Sequence, residues 1–282
     1  MSAASSADGR QADFELLKSA VARAGALALK YFESDFKAWE KGRNDPVTEA
    51  DLAVDRLLEE ALREARPDYG WLSEESADDP ARLACRRVWM VDPIDGTRAF
   101  VNRRPEFAVS AALVEDGHPV LGVVFNPVTD AFFAARLGGG AFLGDKRLAI
   151  TPRAELEGAR MLGYRHFFSS EKYWPVPWPR MNYAQVNSIA LRMALVAAGS
   201  HDIVVSVRPK SDWDIAAADL IVTEAGGAAA DSDGTAFVYN RKKPVHRNVI
   251  ACSRPLVAPV LARVRPALDQ WRAQEKRKRS EK

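Results

Sequence analysis

One stretch restricts this chain more than any other: VWMVDPIDGTRAF, residues 88–100, where an apolar run meets two aspartates, a proline, a glycine and a threonine. Trp89, Met90 and Val91 have the character of a buried strand, and Pro93, lacking an N–H, is expected to end the hydrogen-bonding ladder directly after Asp92. A turn through Ile94, Asp95 and Gly96 then feeds a helical or tight-turn N-terminus at Thr97, where free backbone N–H groups favour an anion. Asp92 and Asp95 can therefore converge on cations. Two carboxylates this close repel unless a proton or cation intervenes, and oxygen ligands without nearby cysteine or histidine select Mg2+ or Mn2+ over zinc. The pattern suggests metal-assisted phosphoryl chemistry. A capping aspartate beside a turn aspartate would explain each acid singly and leave their adjacency unexplained.

The rest of the chain has the size and patterning to hold such a strand. With 282 residues, 47% of them hydrophobic, it can bury a substantial core as one large domain or two intimate ones. Lysine and arginine total 40 against 38 acidic residues, and a net charge of +2 gives no general reason to expect a nucleic-acid partner. The basic tail EKRKRSEK, 275–282, is read as a frayed, solvated end, although such a tail can touch RNA or an acidic surface. Cys85 and Cys252 lack C-x-x-C partners, so neither zinc nor a disulfide framework is indicated. MSAASSADGR, read as disordered, lacks the pattern of a signal peptide, and no apolar run approaches membrane-spanning length. A cytoplasmic protein without membrane attachment is expected.

Helical spacing marks Asp13 to Phe32, Leu52 to Arg66, Ala184 to Ala198, Trp213 to Ala225, and Leu256 to Trp271 with interruptions at Pro259 and Pro266. Lys41 to Asp51 reads as a loop. Phe107 to Val114, Pro119 to Pro127 and Asp130 to Arg136 read as neighbouring antiparallel strands, LGGGAFLGDKRL as a glycine-rich turn with a hairpin, and Asp202 to Val207 as another strand. Helices and strands alternating in groups argue for a layered α/β or α+β sandwich. The prolines and aromatics of 165–180 are expected to forbid a regular element, leaving an ordered surface loop, a lid or a subunit contact.

The central stretch is one of four separated motifs. DPVTEAD (Asp45 to Asp51), WLSEES (Trp71 to Ser76), VDPIDGTRAF and WDIAAADLIVTEAGG (Trp213 to Gly227), with GGGAFLGDKRL between them, resemble in order the signatures of the inositol monophosphatase superfamily. The D-x-D-G-T loop of haloacid dehalogenases fits less well, because two residues separate the aspartates here and the first falls in the wrong phase along the strand. The resemblance implies an αβαβα sandwich of the inositol monophosphatase and fructose-1,6-bisphosphatase type. The division expected is an N-terminal part, 1–150, with most metal ligands, a C-terminal part, 151–275, and the basic tail, 276–282.

The resemblance further implies Glu74, Asp92 and the Ile94 carbonyl as ligands of one Mg2+, with Asp92, Asp95 and Asp214 holding a second, and two or three ions in all. Mn2+ would substitute and Li+ inhibit. Thr97, hydrogen-bonded to Asp51, would orient the attacking water, Glu74 would share in catalysis, and the Gly96 and Thr97 amides would hold the phosphate. Alone, Asp214 reads equally as an acid at a helix N-terminus. Glu75 reads as a solvated neighbour or as support for the ligands, and Ser73 departs from the glycine usual before the paired glutamates. His118, His166, His201 and His246 show no metal-ligand spacing. A homodimer is implied.

For the substrate, a small-molecule phosphate ester, the resemblance is less specific. Inositol-selective relatives carry an acid shortly before W-D; SVRPKSDWD offers Val207, Arg208 and Lys210 instead. Cations there could take a second phosphate, which favours 3'-phosphoadenosine 5'-phosphate. Asp95, Arg165 with Tyr164 and His166, Arg208, Lys210 and Asp212 are the candidate substrate contacts, and Asp212 holding a hydroxyl would instead favour inositol 1-phosphate. A non-catalytic RNA- or protein-binding module on the same fold is the alternative from another class.

Overall fold

A computed structural model describes residues 3–42 and 45–280, with side chains described over 9–42 and 46–274. The order is α1 (Ala3–Phe32), β1 (Ala38–Gly42), β2 (Asp45–Thr48), α2 (Glu49–Ala65), β3 (Gly70–Ser73), β4 (Arg87–Asp95), α3 (Thr97–Val101), β5 (Ala108–Glu115), β6 (His118–Asn126), β7 (Ala131–Arg136), β8 (Gly140–Leu143) and β9 (Lys146–Arg147). There follow β10 (Arg160–Leu162), α4 (Arg165–Phe168), β11 (Asn182–Ala184), α5 (Ile189–Ala197), β12 (Ile203–Ser206), β13 (Lys210–Ser211), α6 (Asp212–Glu224), β14 (Gly227–Ala230), β15 (Val245–His246), β16 (Val249–Ser253) and α7 (Val257–Ser280).

Strands β3 to β9 form a seven-stranded sheet in chain order, antiparallel except for the parallel pair β3–β4. A five-stranded sheet runs β11-β10-β12-β16-β14. The period-2 alternation of β4 sets the layers. Trp89 and Val91 face α1 and α2, packing with Leu17, Val21, Val54 and Leu58. Val88 and Met90 face the opposite way, into a core shared with Met193 of α5, Ile215 and Leu220 of α6, and Leu162, Val204 and Ala251 of the second sheet. The far side of that sheet, with Met161, Ile203 and Val205, packs against Val260, Val264 and Leu268 of α7. The result is the expected αβαβα sandwich. Each fully buried aliphatic or aromatic side chain in it contributes about 1.5–3 kcal/mol. Helix α6 lies so close to the first sheet that a Cβ on Gly122 would meet the Ala217 carbonyl oxygen at 2.6 Å, which explains the run of alanines at 216–218.

The local expectations fare unevenly. Of the loop expected over 41–51, the described residues belong to β1 and β2, which pair antiparallel, and to the first turn of α2, while residues 43–44 lie outside the described residues. Helix α1 begins at Ala3, extending through residues read as disordered, because alanine and serine continue a helix already held by its packed end. Ala184 closes strand β11, which pairs in parallel with β10, instead of starting a helix, and Ser188 caps α5 by accepting from Leu191 N at 2.9 Å. Helix α7 runs unbroken to Ser280. Pro259 falls in its first turn, where an N–H has no intrahelical acceptor to lose, and core packing of Val260, Val264 and Leu268 holds the segment around Pro266. The stretch 165–180 contains the short helix α4 and is tied inward by Trp174 and Trp178, which are buried with Phe168. The side chains of the tail at 275–282 lie outside the described residues.

Candidate active site

In a regular strand, residues three apart point to opposite faces, so Asp92 and Asp95 could not meet. A β-bulge removes the difficulty. Asp92 pairs with Ser110 and Asp95 with Ala108, three steps along β4 against two along β5, and the extra residue turns both carboxylates to one side. Pro93 sits inside the bulge, where its missing N–H breaks no regular ladder bond. The strand therefore continues to Asp95 instead of ending at Pro93 as the sequence suggested. The Ile94 N–H donates to Asp92 Oδ1 at 3.1 Å. Gly96 then takes φ 101° with Glu106 O and Ser188 N only 3.0 and 3.2 Å from where a Cβ would stand, a position closed to other residues.

Helix N-termini supply most of the other acids. Asp51 is the N3 residue of a capping box on α2: Thr48 N and Thr48 Oγ1 donate to its Oδ2 at 2.8 and 2.5 Å. Its Oδ1 lies 3.2 Å from Thr97 Oγ1, which also lies 3.1 Å from the Ile94 carbonyl. Asp214 is the N3 residue of α6, and Ser211 N donates to its Oδ2 at 2.6 Å. Asp95 Oδ2 accepts from Ser188 Oγ and from Ala190 N at 2.6 Å, at the start of α5. Each carboxylate thus spends one oxygen on a helix terminus whose dipole favours negative charge. One ligand atom from each of Asp92, Asp95 and Asp214 lies within 4.8 Å of the other two.

Glu74 joins from the end of β3, its N–H donating to Val91 O at 3.2 Å. Ser73, in place of glycine, is buried and donates to Asp55, which also accepts from Ser76 Oγ at 2.6 Å, so this departure fastens the loop that presents Glu74. Burial, then repulsion from Asp214 and Glu75, pushes the Glu74 carboxyl up to about 8. Burial also raises Asp214 to about 6, against the pull of Lys210. Asp92 is raised well above the ordinary range by burial and by Glu74, Asp95 and Asp214. Asp51 and Asp95 are raised by burial and partly restored by their hydrogen bonds. Without a cation these acids oppose one another's ionisation. Their all-oxygen donor set fits a hard divalent cation.

Two cations at the site carried no sequence signal of their own. Lys41 pairs with Glu75, whose side chain is 3% exposed, so the Glu75 carboxylate is enclosed and not solvated. Arg192 donates to the Val186 and Asn187 carbonyls and is attracted by Asp95 and Tyr164. Among the expected substrate contacts, Lys210 lies near enough to Asp95 and Asp214 to offset part of the rise that burial causes in both, while Arg208 is exposed. Asp212 is fully buried and turned to His246 Nε2 at 2.8 Å and Asn240 N at 2.8 Å. Arg165 is exposed, its guanidinium 5.7 Å from the Tyr183 ring centroid, and lines a cleft of about 380 Å³ with Trp174, Trp178 and Arg180.

An αβαβα sandwich with buried carboxylates gathered around a bulged strand end defines a metal-dependent phosphatase. The profile of the inositol monophosphatase family matches residues 11–270, and the chain belongs to that family. It is 36% identical over 264 residues to an inositol-1-monophosphatase of Rhizobium meliloti, covering 90% of this chain and 96% of the relative. It is 31% identical over 261 residues to the Nus factor SuhB of Escherichia coli K12, with 88% and 94% covered. Among solved structures, a Thermotoga maritima IMPase superposes with a TM-score of 0.77 at 30% identity, covering 92% and 98% of the two chains.

Proposed function

We propose that this phosphatase uses Mg2+, with Mn2+ as a substitute, held by Glu74, Asp92, the Ile94 carbonyl, Asp95 and Asp214. The observation that carries the reading is the convergence of Asp92, Asp95 and Asp214, with Glu74 near enough to repel Asp92 and Asp214, in a place where burial holds their carboxyls high. When bound, the cations neutralise charge on the phosphate, lower the pKa of water and stabilise the departing alkoxide. The chain's own groups do the orienting. Thr97 Oγ1, between Asp51 Oδ1 and the Ile94 carbonyl, aligns a water against the phosphorus, and Asp51 can receive its proton. The Gly96 and Thr97 amides hold phosphate oxygens. Lys41 neutralises Glu75, which leaves Glu74 as the glutamate turned to the cations.

The substrate we propose carries a second anionic group, 3'-phosphoadenosine 5'-phosphate being the first candidate. Supporting it, Lys210 and Arg192 lie within electrostatic reach of Asp95, whereas Asp212, the acid that would hold a polyol hydroxyl, has both oxygens engaged within the protein. Inositol 1-phosphate is the second reading, supported by the name of the Rhizobium relative. Phosphate release from these two compounds and from fructose 1,6-bisphosphate, with Mg2+ and with chelator, tests both. Faster turnover of inositol phosphate than of the nucleotide would reject the first reading, and silence with all three would shift weight to a regulatory role of the kind the name Nus factor suggests for the Escherichia relative. A cytoplasmic homodimer inhibited by Li+ completes the proposal; light scattering and Li+ titration test its parts.

A further inference from the structure

The two-residue strand β13 and the first turn of α6 deliver Lys210 and Asp214 to the site, and a second segment clamps them from behind. Lys210 pairs with His246 and Ser211 with Val245 across β13 and β15. Asp212 N donates to Pro244 O at 2.9 Å. The Asp212 carboxylate, 0% exposed, meets His246 Nε2 on one oxygen and Asn240 N on the other. Arg241 Nη2 lies 3.3 Å from His246 Nδ1; guanidinium only donates, so Nδ1 accepts and Nε2 carries the hydrogen given to Asp212. Phe237 and Tyr239 fix the imidazole edge-on, with centroids 4.8 and 5.3 Å away. Asn240 is itself held by Arg82 Nη1 at 2.7 Å.

We propose that His246 is a positioning residue: through the Asp212 carboxylate it fixes the turn Lys210–Asp214, and so sets the geometry with which Asp214 meets a divalent cation. A buried acid two residues from Asp214, in a region already crowded with carboxylates, adds unfavourable charge unless a donor holds it. The imidazole N–H and the Asn240 amide are those donors. A cation ligand is sensitive to small displacements of this kind, since partners one shell out commonly change metal affinity 10- to 100-fold. The inference rests on Asp214 being a cation ligand.

The test is Mg2+ binding by calorimetry on the purified full chain, with Mn2+ paramagnetic resonance as a second probe and steady-state kinetics beside them. His246→Leu, which keeps bulk and loses the donor, should raise the Mg2+ dissociation constant about tenfold or more, and His246→Gln, whose amide can donate from the Nε2 position, should restore it to within about threefold of wild type. The kinetic loss in His246→Leu should be recovered in part at high Mg2+. Tyr239→Phe is the comparison for simple stability, because it removes a 2.7 Å bond to Asp219 on the same helix; it should lower the melting temperature and leave Mg2+ affinity alone. Equal Mg2+ affinity in wild type and His246→Leu would overturn the proposal, as would equal weakening in Tyr239→Phe. Should His246→Leu not fold, Asp212→Asn decides by the same readings. A wild-type protein that binds no Mg2+ would instead overturn the reading of Asp214 on which the inference depends.

Discussion

Replacing Asp92 by asparagine removes a charge from the centre of the carboxylate group while keeping the side chain's shape. Charge neutralisation at the phosphate then weakens in the transition state more than binding of the organic part, so kcat should fall on the order of 10²–10³-fold with KM little changed. Near-normal turnover would refute the site. Ionising Asp92 is opposed by burial and by Glu74, Asp95 and Asp214, so at alkaline pH, where the wild-type acid is driven to ionise, metal-free Asp92→Asn should melt above metal-free wild type, a gain readable by calorimetry. Activity lost and stability gained together separate a functional acid from a structural one. At this scale Asp92 and Asp95 stood out by their place at the end of an apolar run, and Glu74, Asp51, Thr97 and Asp214 only through the resemblance of their motifs to the family's signatures. Lys41 and Arg192 were not legible: Lys41 meets Glu75 from a hairpin, and Arg192 is attracted by Asp95 from the middle of α5, pairings that exist only after distant elements pack.

Elements explain why the motifs look as they do. Glu224, at the end of α6, accepts from Gly138 N at 2.8 Å and Gly140 N at 2.7 Å, so the E-A-G-G and G-x-G-A-F patterns are two halves of one clamp on the β7–β8 turn. Glu224→Ala should cost roughly 1–3 kcal/mol by denaturant titration while kcat changes less than about threefold, since stability alone is lost at a site away from the chemistry. Gly122→Ala should be more severe, on the order of 3 kcal/mol, because the atoms it would meet are the backbone of Ala217, which cannot turn aside as a side chain can. Strands β5 to β7 and helices α2 and α6 were legible from periodicity. The bulge in β4 was not: a proline after an aspartate reads as a stop, and only pairing with β5 reveals that the strand resumes. Helix α5 was misread at its start for a related reason, since Asn182–Ala184 becomes a strand through a partner distant in sequence.

Across the whole molecule, the carboxylate group couples folding to both pH and cations. Glu74 rises from 4.5 to about 8 and Asp214 from 3.8 to about 6, so between roughly pH 4 and 8 the metal-free folded state binds more protons than the unfolded chain. The slope of unfolding free energy with pH is then negative. The stability these groups contribute is complete below their unfolded values and is lost as pH climbs through about 6 and then about 8. A divalent cation reverses the trend, because it binds the deprotonated acids and competes with protons for the folded state. Added Mg2+ should hardly move the melting temperature at pH 5. At pH 8.5 and about 100 times its dissociation constant, one site should add about 2.7 kcal/mol, or roughly 5–10 °C for a chain of this size. Differential scanning calorimetry across that range, with and without chelator, checks both slopes. A metal-free melting temperature that rises between pH 6 and 8 would mean that other groups dominate the linkage. A Mg2+ increment independent of pH would mean that the cation binds somewhere other than these buried acids.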